Sequence, residues 1–395
     1  MRKHWVGLLV AVSAMAVVQA ALPVQPPAQT VWQMQDSGTT AGLRGIDSVD
    51  GKVAWASGTG GTVLRTTDGG AHWTKCAVPD EATDGGTLDF RGVQAWDAMA
   101  AIVMASGPGE KSRLYKTVDG CKKWNLLFTN PEGTGFYDVV HFIDRQYGIV
   151  LGDPGHGDWR NDPVEGGYFA FRIRVTTDEG KTWAPVTDAE LYSPGKNMMP
   201  LKGEAFFAAS NTSMSGRDGW LWMGTSRGRV LRRKLSISDF RVAGCAGMAD
   251  PFSGSCGIPW RDWQSAYVPV VNGNSTSGIF SVAFRDDHHG MAVGGDYTKP
   301  DEALGTAAWS SDGGGHWTAA AKQPHGFRSA VLWSDSLKAW ITAGTNGSDI
   351  SRDDGRTWQP LDNGNWNALS LPFIVGPNGR IGRLNAAGHS QAPSR

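Results

Sequence analysis

The stretch that decides the fold is Thr66-Thr67-Asp68-Gly69-Gly70-Ala71-His72-Trp73. It predicts a tight turn between two strands, because a strand-like run precedes it and a second such run starts at Thr74. The Asp68 carboxylate can accept hydrogen bonds from backbone N–H groups of the turn, and glycine tolerates the positive φ that closing the turn requires. Trp73 then offers a large flat surface to bury beneath the hairpin.

The same pattern occurs five times. The other copies contain Asp119, Asp178, Asp312 and Asp353, and in every copy a Trp follows five residues after the Asp. In the second copy, Cys121 stands where the other copies have Gly. The repeat resembles the Asp-box, or BNR, repeat of sialidase-like β-propellers. That resemblance implies blades of four antiparallel strands, named A to D from the ring axis outward, with one box in each turn between C and D.

The composition agrees with an all-β chain. The 53 glycines and 18 tryptophans, without a long stretch of 3.6-residue periodicity, are typical of many short strands joined by tight turns. A net charge of −1 excludes the basic footprint of nucleic-acid binding and gives no reason to expect adhesion to a membrane by charge.

The first residues are predicted to be a targeting signal. A basic head, Met1 to His4, precedes an apolar run from Trp5 to Val18, and small residues near Ala20 offer a cleavage site. We expect a signal peptide at 1–20, one propeller domain at 21–385 and a tail at 386–395, although a retained N-terminal anchor is the alternative. The mature chain is expected to be periplasmic or secreted and to lack a membrane span.

Strand pairs before and between the repeats give seven blades. The gap between the third and fourth copies hides a blade without a box, with its A strand predicted at Phe206–Ser210 and its B strand at Gly219–Gly224. After the last copy only three strands remain, and the stretch 30–35 is available as the fourth strand. Such a closure removes the last free sheet edges.

Four cysteines in an exported chain can form disulfides. Cys245 and Cys256 bracket a long loop, and we expect a bond between them. The remaining two, Cys76 and Cys121, lie near the turns of consecutive repeats, and the sequence leaves open whether they pair.

A-strand starts and B-strand ends share one face of a propeller, called here the axial face, whereas the repeat turns lie on the opposite face. Long loops over the axial face also mark it as the binding face. Candidate catalytic acids there are Glu204, Asp153 and Asp296, with Glu204 favoured. Candidate ligand-binding residues are Arg44, Arg91, Tyr137, Asp138, Asn211, Tyr297 and Arg328. Six of these, Glu204, Asp153, Asp296, Asp138, Arg91 and Arg328, are predicted to converge on one pocket.

Three interpretations of these residues stay open. Carboxylates among arginines suit a peptide, a sugar acid or another carboxylate-bearing partner. Two carboxylates at the right separation also suit a glycoside hydrolase or a lyase. The plain alternative is an axial ring of ion pairs without a ligand.

Other motifs do not fit their context. Gly224-Thr225-Ser226-Arg227-Gly228 matches G-x-S-x-G, but a strand follows it where a nucleophile elbow needs a helix. Asp286-Asp287-His288-His289 is expected to be a solvated turn, so no metal site is predicted.

Across nearly the whole mature chain, the sequence resembles the photosystem II stability/assembly-factor-like propellers and their non-photosynthetic bacterial relatives. Besides the repeats, the stretches that carry the likeness are 136–138, 152–154, 203–212, 294–297, 327–329 and 347–351. The resemblance implies a lumenal or periplasmic factor that binds a protein partner, in part through arginines. We therefore expect a monomer that binds a protein or carbohydrate ligand at the axial face, with no cofactor and no nucleic acid.

Overall fold

The computed structural model describes residues 31–80, 82–156, 168–186, 199–236 and 263–385, together with Met1 and Phe240. Over these residues the chain forms seven four-stranded antiparallel sheets, so the predicted seven-bladed β-propeller is confirmed. The A strand of each blade contacts the A strands of both neighbouring blades, which places the A strands around the axis. Within the described residues, no helix is long and apolar enough to span a membrane.

The strands follow the chain from blade to blade. The first, β1 (Trp32–Gln35), belongs to blade seven. Blade one contains, from A to D, β2 (Leu43–Ser48), β3 (Ala54–Gly58), β4 (Val63–Thr66) and β5 (Thr74–Lys75). Blade two contains β6 (Phe90–Ala95), β7 (Ala101–Ala105), β8 (Arg113–Thr117) and β9 (Asn125–Thr129). Blade three contains β10 (Tyr137–Phe142), β11 (Gly148–His156), β12 (Tyr168–Thr176) and β13 (Ala184–Pro185). Short 3-10 helices lie at Gly85–Thr87 and Gly109–Lys111.

Blades four to six continue the same order. Blade four contains β14 (Met214–Arg217), β15 (Trp220–Gly224), β16 (Arg229–Lys234) and β17 (Gln264–Tyr267). Blade five contains β18 (Ser277–Phe284), β19 (Gly290–Asp296), β20 (Ala307–Ser310) and β21 (Thr318–Ala319). Blade six contains β22 (Ala330–Ser334), β23 (Ala339–Gly344), β24 (Gly347–Ser351) and β25 (Gln359–Asp362). Blade seven consists of β26 (Ala368–Ser370), β27 (Phe373–Val375), β28 (Ile381–Leu384) and β1.

The ring closes by pairing the first and last strands. β1 lies antiparallel to β28, with Trp32 opposite Leu384. The Trp32 indole is buried, donates from Nε1 to Ser348 Oγ at 2.9 Å and packs against Trp366 with a ring-centroid distance of 6.2 Å. The predicted closure is therefore confirmed, and it joins blade seven to the neighbouring blade six.

The five repeat turns share one hydrogen-bond geometry. In the first, Thr66 Oγ1 donates to Asp68 Oδ1 at 2.9 Å and accepts from the N–H of Gly70, and Asp68 Oδ1 accepts from the N–H of His72. The turn closes at Gly70 with a φ of 85°, in the region that favours glycine. Each turn lies between strands C and D, as the sequence predicts.

The structure forms the cysteine pair that the sequence leaves open. Cys76 and Cys121 form a disulfide that links the end of blade one to the second repeat turn. Cys121 occupies the usual glycine position with a φ of 67°. The expected bond between Cys245 and Cys256 lies outside the described residues.

Blade four contains the main correction to the predicted strands. Its A strand is β14 (Met214–Arg217), so the prediction of an A strand at Phe206–Ser210 is wrong. The stretch 205–213, called here the crossing segment, has no strand structure. Phe206 and Phe207 are adjacent aromatic residues, and successive side chains of a strand would point to opposite faces.

The crossing segment spans the ring instead of joining a sheet. Ser210 Oγ donates to the carbonyl of Ser329 beside blade six at 2.8 Å. The Asn211 side chain donates to the carbonyl of Val140 in blade three and accepts from its N–H, both at 3.0 Å. These contacts hold the segment inside the ring of A strands.

Candidate functional site

A cavity of about 590 Å³ opens on the axial face. Five of the ten predicted site residues line it, and these are Arg44, Arg91, Asp138, Asp153 and Tyr297. The crossing segment supplies a further part of the lining through Ala205–Ala209, and Phe136, Phe280 and Phe327 supply aromatic rings. The structure thus brings charged and aromatic side chains from several blades into one space.

β-bulges explain why these positions face the cavity. The pairing of strands A and B shifts register at Arg44, Arg91, Asp138 and Phe280, in blades one, two, three and five. A bulge leaves one residue unpaired and re-aims its side chain. In each of these blades the residue at the bulge lines the cavity.

Asp138 and Asp153 form the acidic part of the site. Asp153 lies at a second irregularity, between β11 and β12, and its Oδ1 accepts from the N–H of Phe206 at 2.9 Å. Asp138 is only 2% exposed, and its buried Oδ2 has no hydrogen-bond partner among the described residues. Burial, followed by repulsion from Asp153, raises the pKa of Asp138 well above its usual range. Burial raises the pKa of Asp153 to about 6, although the hydrogen bond from Phe206 and the charge of Arg172 oppose this shift.

Arg44 and Arg91 form the basic part and share one carboxylate. Arg91 Nε donates to Asp89 Oδ2 at 2.8 Å, whereas Arg44 Nε lies 3.9 Å from Asp89 Oδ1. Both arginine side chains keep about a third of their surface exposed, at 37% for Arg44 and 31% for Arg91. Two guanidinium groups for one carboxylate leave donors available for an incoming carboxylate or carbonyl group.

An aromatic wall is the part of the site that sequence reasoning missed. Phe207 of the crossing segment stacks on Phe280 at a centroid distance of 3.7 Å, and Phe280 also meets Phe327 edge-on at 4.7 Å. Tyr297 contacts the same Phe280 ring at 6.2 Å and is half exposed. The Phe206-Phe207 doublet was the available sequence signal, because a two-residue strand period cannot bury both rings on one face.

Glu204, the favoured catalytic acid, does not line the cavity. Its carboxylate is fully buried and forms a two-pronged ion pair with Arg229, with Nε donating to Oε1 at 2.9 Å. Glu204 also accepts from Thr225 Oγ1 and from the N–H of Leu201. Glu204 therefore holds the chain entering the crossing segment against blade four, and the prediction that it faces the pocket is wrong.

Asp296 and Arg328 likewise have other partners, so the predicted convergence of six residues holds for only three. Asp296 Oδ1 accepts from the N–H and the Oγ1 of Thr298, at 3.0 and 2.7 Å. Arg328 is fully buried, and its Nε donates to Asp349 Oδ2 at 2.7 Å. Both residues stabilise turns and strand ends beside the cavity.

Tyr137 and Asn211 also lie away from the cavity lining. The Tyr137 hydroxyl is buried and accepts from Arg174 Nε at 2.8 Å. Asn211 uses its amide group to hold Val140, as described above. Both residues therefore stabilise strands of blade three next to the cavity and do not face it.

The acidic turn at Asp286 has the geometry of a capped turn. Asp286 Oδ1 accepts from the N–H groups of His288 and His289 at 2.9 and 2.6 Å. Asp286, Asp287 and His288 form a group of possible metal ligands in the described part of the chain, but Asp287 and His288 are exposed. The corresponding turns of blades one and two cap two N–H groups in the same way, through Asp50 and Asp97.

The chain is similar in sequence to one known protein and in fold to several solved structures. No family model matches the chain. The chain is 23% identical over 336 residues to the photosystem II assembly lipoprotein Ycf48 of Synechococcus sp. (strain CC9902), covering 77% of this chain and 84% of that protein. A solved structure described as YCF48 bound to D1 peptide matches 91% of this chain and 99% of its own chain, with a TM-score of 0.56 at 15% identity. The predicted resemblance to photosystem II assembly factors is confirmed.

The Ycf48-like fold is also shared with an enzyme. The GH74 xyloglucanase from Xanthomonas campestris matches 92% of this chain and 55% of its own chain, with a TM-score of 0.53 at 16% identity. At that level of identity the similarity concerns architecture alone, because unrelated chemistries share propeller folds.

Proposed function

We propose that this Ycf48-like chain is an exported binding protein that holds a segment of a protein partner in its axial cavity, without turnover. The observation that carries the proposal is the lining of the cavity, which combines Arg44 and Arg91 with Asp138 and Asp153 and with an aromatic wall. A peptide presents carbonyl groups, charges of either sign and apolar side chains. The cavity offers a complement for each of these.

The similar proteins support a polypeptide ligand over other classes. The relative is described as an assembly lipoprotein, and the solved structure with the same fold is described as bound to a D1 peptide. The predicted signal sequence supports a periplasmic or secreted location. N-terminal sequencing of the mature protein should then find Ala21, whereas a chain that retains Met1 would contradict export with cleavage.

A carbohydrate-active hydrolase or lyase is the second candidate, and one observation favours it. Asp138 and Asp153 are neighbouring carboxylates with raised pKa values, as a general acid requires. Glu204 and Asp296, the other acids considered for catalysis, are held by their own partners. Any hydrolytic chemistry in this cavity would therefore use the Asp138–Asp153 pair.

Peptide and glycan arrays probed with the purified chain test the proposal. We expect peptides to bind, and we expect the double charge reversal Arg44→Glu/Arg91→Glu to abolish their binding. Lys52→Glu/Arg352→Glu is the matched control, because both of its residues are exposed, lie on the opposite face and change the net charge equally. Binding that survives the first variant, or is lost equally in the control, would overturn the assignment.

Turnover assays separate the two candidates. Incubation with xyloglucan and with acidic polysaccharides should release no reducing or unsaturated sugar ends. Release that disappears in Asp153→Asn would replace the binding proposal with the enzymatic one.

A further inference from the structure

Among the residues that the structure describes, neither acid of the cavity forms an ion pair. Within the described part of the chain, Asp138 Oδ2 is buried without a hydrogen bond, and Asp153 Oδ1 accepts from the N–H of Phe206. Two carboxylates held this closely repel each other, and burial weakens the screening of that repulsion by water. A buried carboxylate is ordinarily paired or hydrogen-bonded.

The nearest arginines are engaged elsewhere. Arg91 donates from Nε to Asp89. Arg172 donates from Nε to Glu132 and from Nη1 to the backbone carbonyls of Asp153 and Pro154, at 2.9 and 3.0 Å. The charges of Arg91 and Arg172 act on Asp138 and Asp153, respectively, but within the described residues neither guanidinium group forms an ion pair with either carboxylate.

We infer that Asp138 and Asp153 form a subsite for one cationic side chain, arginine or lysine, of the bound partner segment. This inference rests on the proposed function and names the chemistry of the partner. A guanidinium or ammonium group would pair with the partly exposed carboxylate of Asp153 and offset its repulsion with Asp138, which is buried behind it. Phe206 and Phe136 border Asp153 through backbone hydrogen bonds, and aromatic borders suit an organic cation.

The blades that carry the charged residues also favour one direction of the partner. Arg44 and Arg91 belong to blades one and two, whereas the acids belong to blade three. A segment with a basic side chain at the acids would place its carbonyl groups, or an acidic residue, towards the arginines. Opposite charges at two fixed positions select one orientation and one register of the segment.

The test compares arginine with citrulline, which has nearly the same shape without the charge. Decapeptides that bind the purified full chain in a positional-scanning library are synthesised with each arginine or lysine replaced by a neutral isostere, and their affinities are measured by calorimetry. We expect one basic position whose neutralisation weakens binding about tenfold or more. Asp153→Asn should remove that difference, whereas Glu302→Gln, an exposed acid on the same face, should leave it intact.

A pH series gives a second readout that does not depend on a variant folding well. Protons compete with the cation for Asp153, so the arginine peptide should bind more weakly at pH 5 than at pH 7, and the citrulline peptide should show no such change. The other charged groups near the pair are Arg44, Arg91, Arg172, Asp89 and Glu132.

The possible results distinguish failure of the cationic subsite from failure of the proposed peptide-binding function. Peptides that bind without a basic preference, or that bind equally with citrulline, would overturn the cationic subsite and leave the proposed function standing. If no peptide of the library bound, both would be overturned. A basic preference that persists in Asp153→Asn and shows no pH dependence would also contradict the subsite.

Discussion

Replacing Asp153 with Asn should stabilise the folded chain at neutral pH. Burial raises the pKa of Asp153 from 3.8 to about 6. The folded state therefore holds this proton more tightly than the unfolded chain does, and the free energy of unfolding falls as pH rises through that interval. A shift of about two units corresponds to at most about 3 kcal/mol. Because part of the side chain is exposed, we expect a gain of about 1–2 kcal/mol at pH 7.5.

The gain should depend on pH in a defined direction. As the pH falls from 6 towards 3.8, the carboxyl becomes protonated first in the folded and then in the unfolded state, so the difference between Asp153→Asn and the native chain should shrink towards zero. Urea denaturation followed by tryptophan fluorescence at pH 4, 6 and 7.5 measures both chains, with Glu302→Gln as a surface control. A variant that is no more stable at pH 7.5, or a difference that does not shrink at pH 4, would show that the Asp153 charge does not destabilise the folded chain.

Three further predictions concern the framework of the site. Trp32→Ala removes a buried indole from the closing strand and should cost about 3–5 kcal/mol in urea denaturation; a chain as stable as the native one would contradict closure by this strand. Glu204→Gln removes the charge that Arg229 faces and should cost about 3–5 kcal/mol with peptide affinity unchanged, so a binding defect without destabilisation would restore Glu204 to the site. Cys76→Ala/Cys121→Ala should lower stability by about 2–4 kcal/mol, and dithiothreitol should do the same to the native chain but leave the variant unaffected.

Much of the fold could be predicted because the chain repeats one short turn sequence five times. The Ser or Thr, the Asp and the Trp of each turn lie within eight residues, so a single stretch contains the whole hydrogen-bond pattern. Once the turns are placed, the strands before them follow from their apolar runs. The box-less blade was predicted less well, because no turn fixes the register between Phe206 and Met214.

Only those residues of the site whose position follows from the propeller topology could be predicted from the sequence. Arg44, Arg91 and Asp138 follow from their positions at the starts of A strands, where bulges re-aim them. The prediction that Glu204 faces the cavity was wrong because its ion pair with Arg229 depends on the tertiary structure, that is, on how the chain enters blade four. Phe280 was missed because an aromatic residue within an apolar strand has the pattern of a core residue.

Site-specific photocrosslinking tests the central claim, binding of a polypeptide at the axial cavity, most directly. A benzoylphenylalanine at Tyr297 places the reactive group on an exposed ring of the cavity lining, and the same group at Met99 lies at an exposed turn on the opposite face. With a peptide selected from the library, irradiation should give a covalent adduct at position 297 and none at 99, and excess unlabelled peptide should suppress it. Equal labelling at both positions, or labelling at 99 alone, would contradict the account.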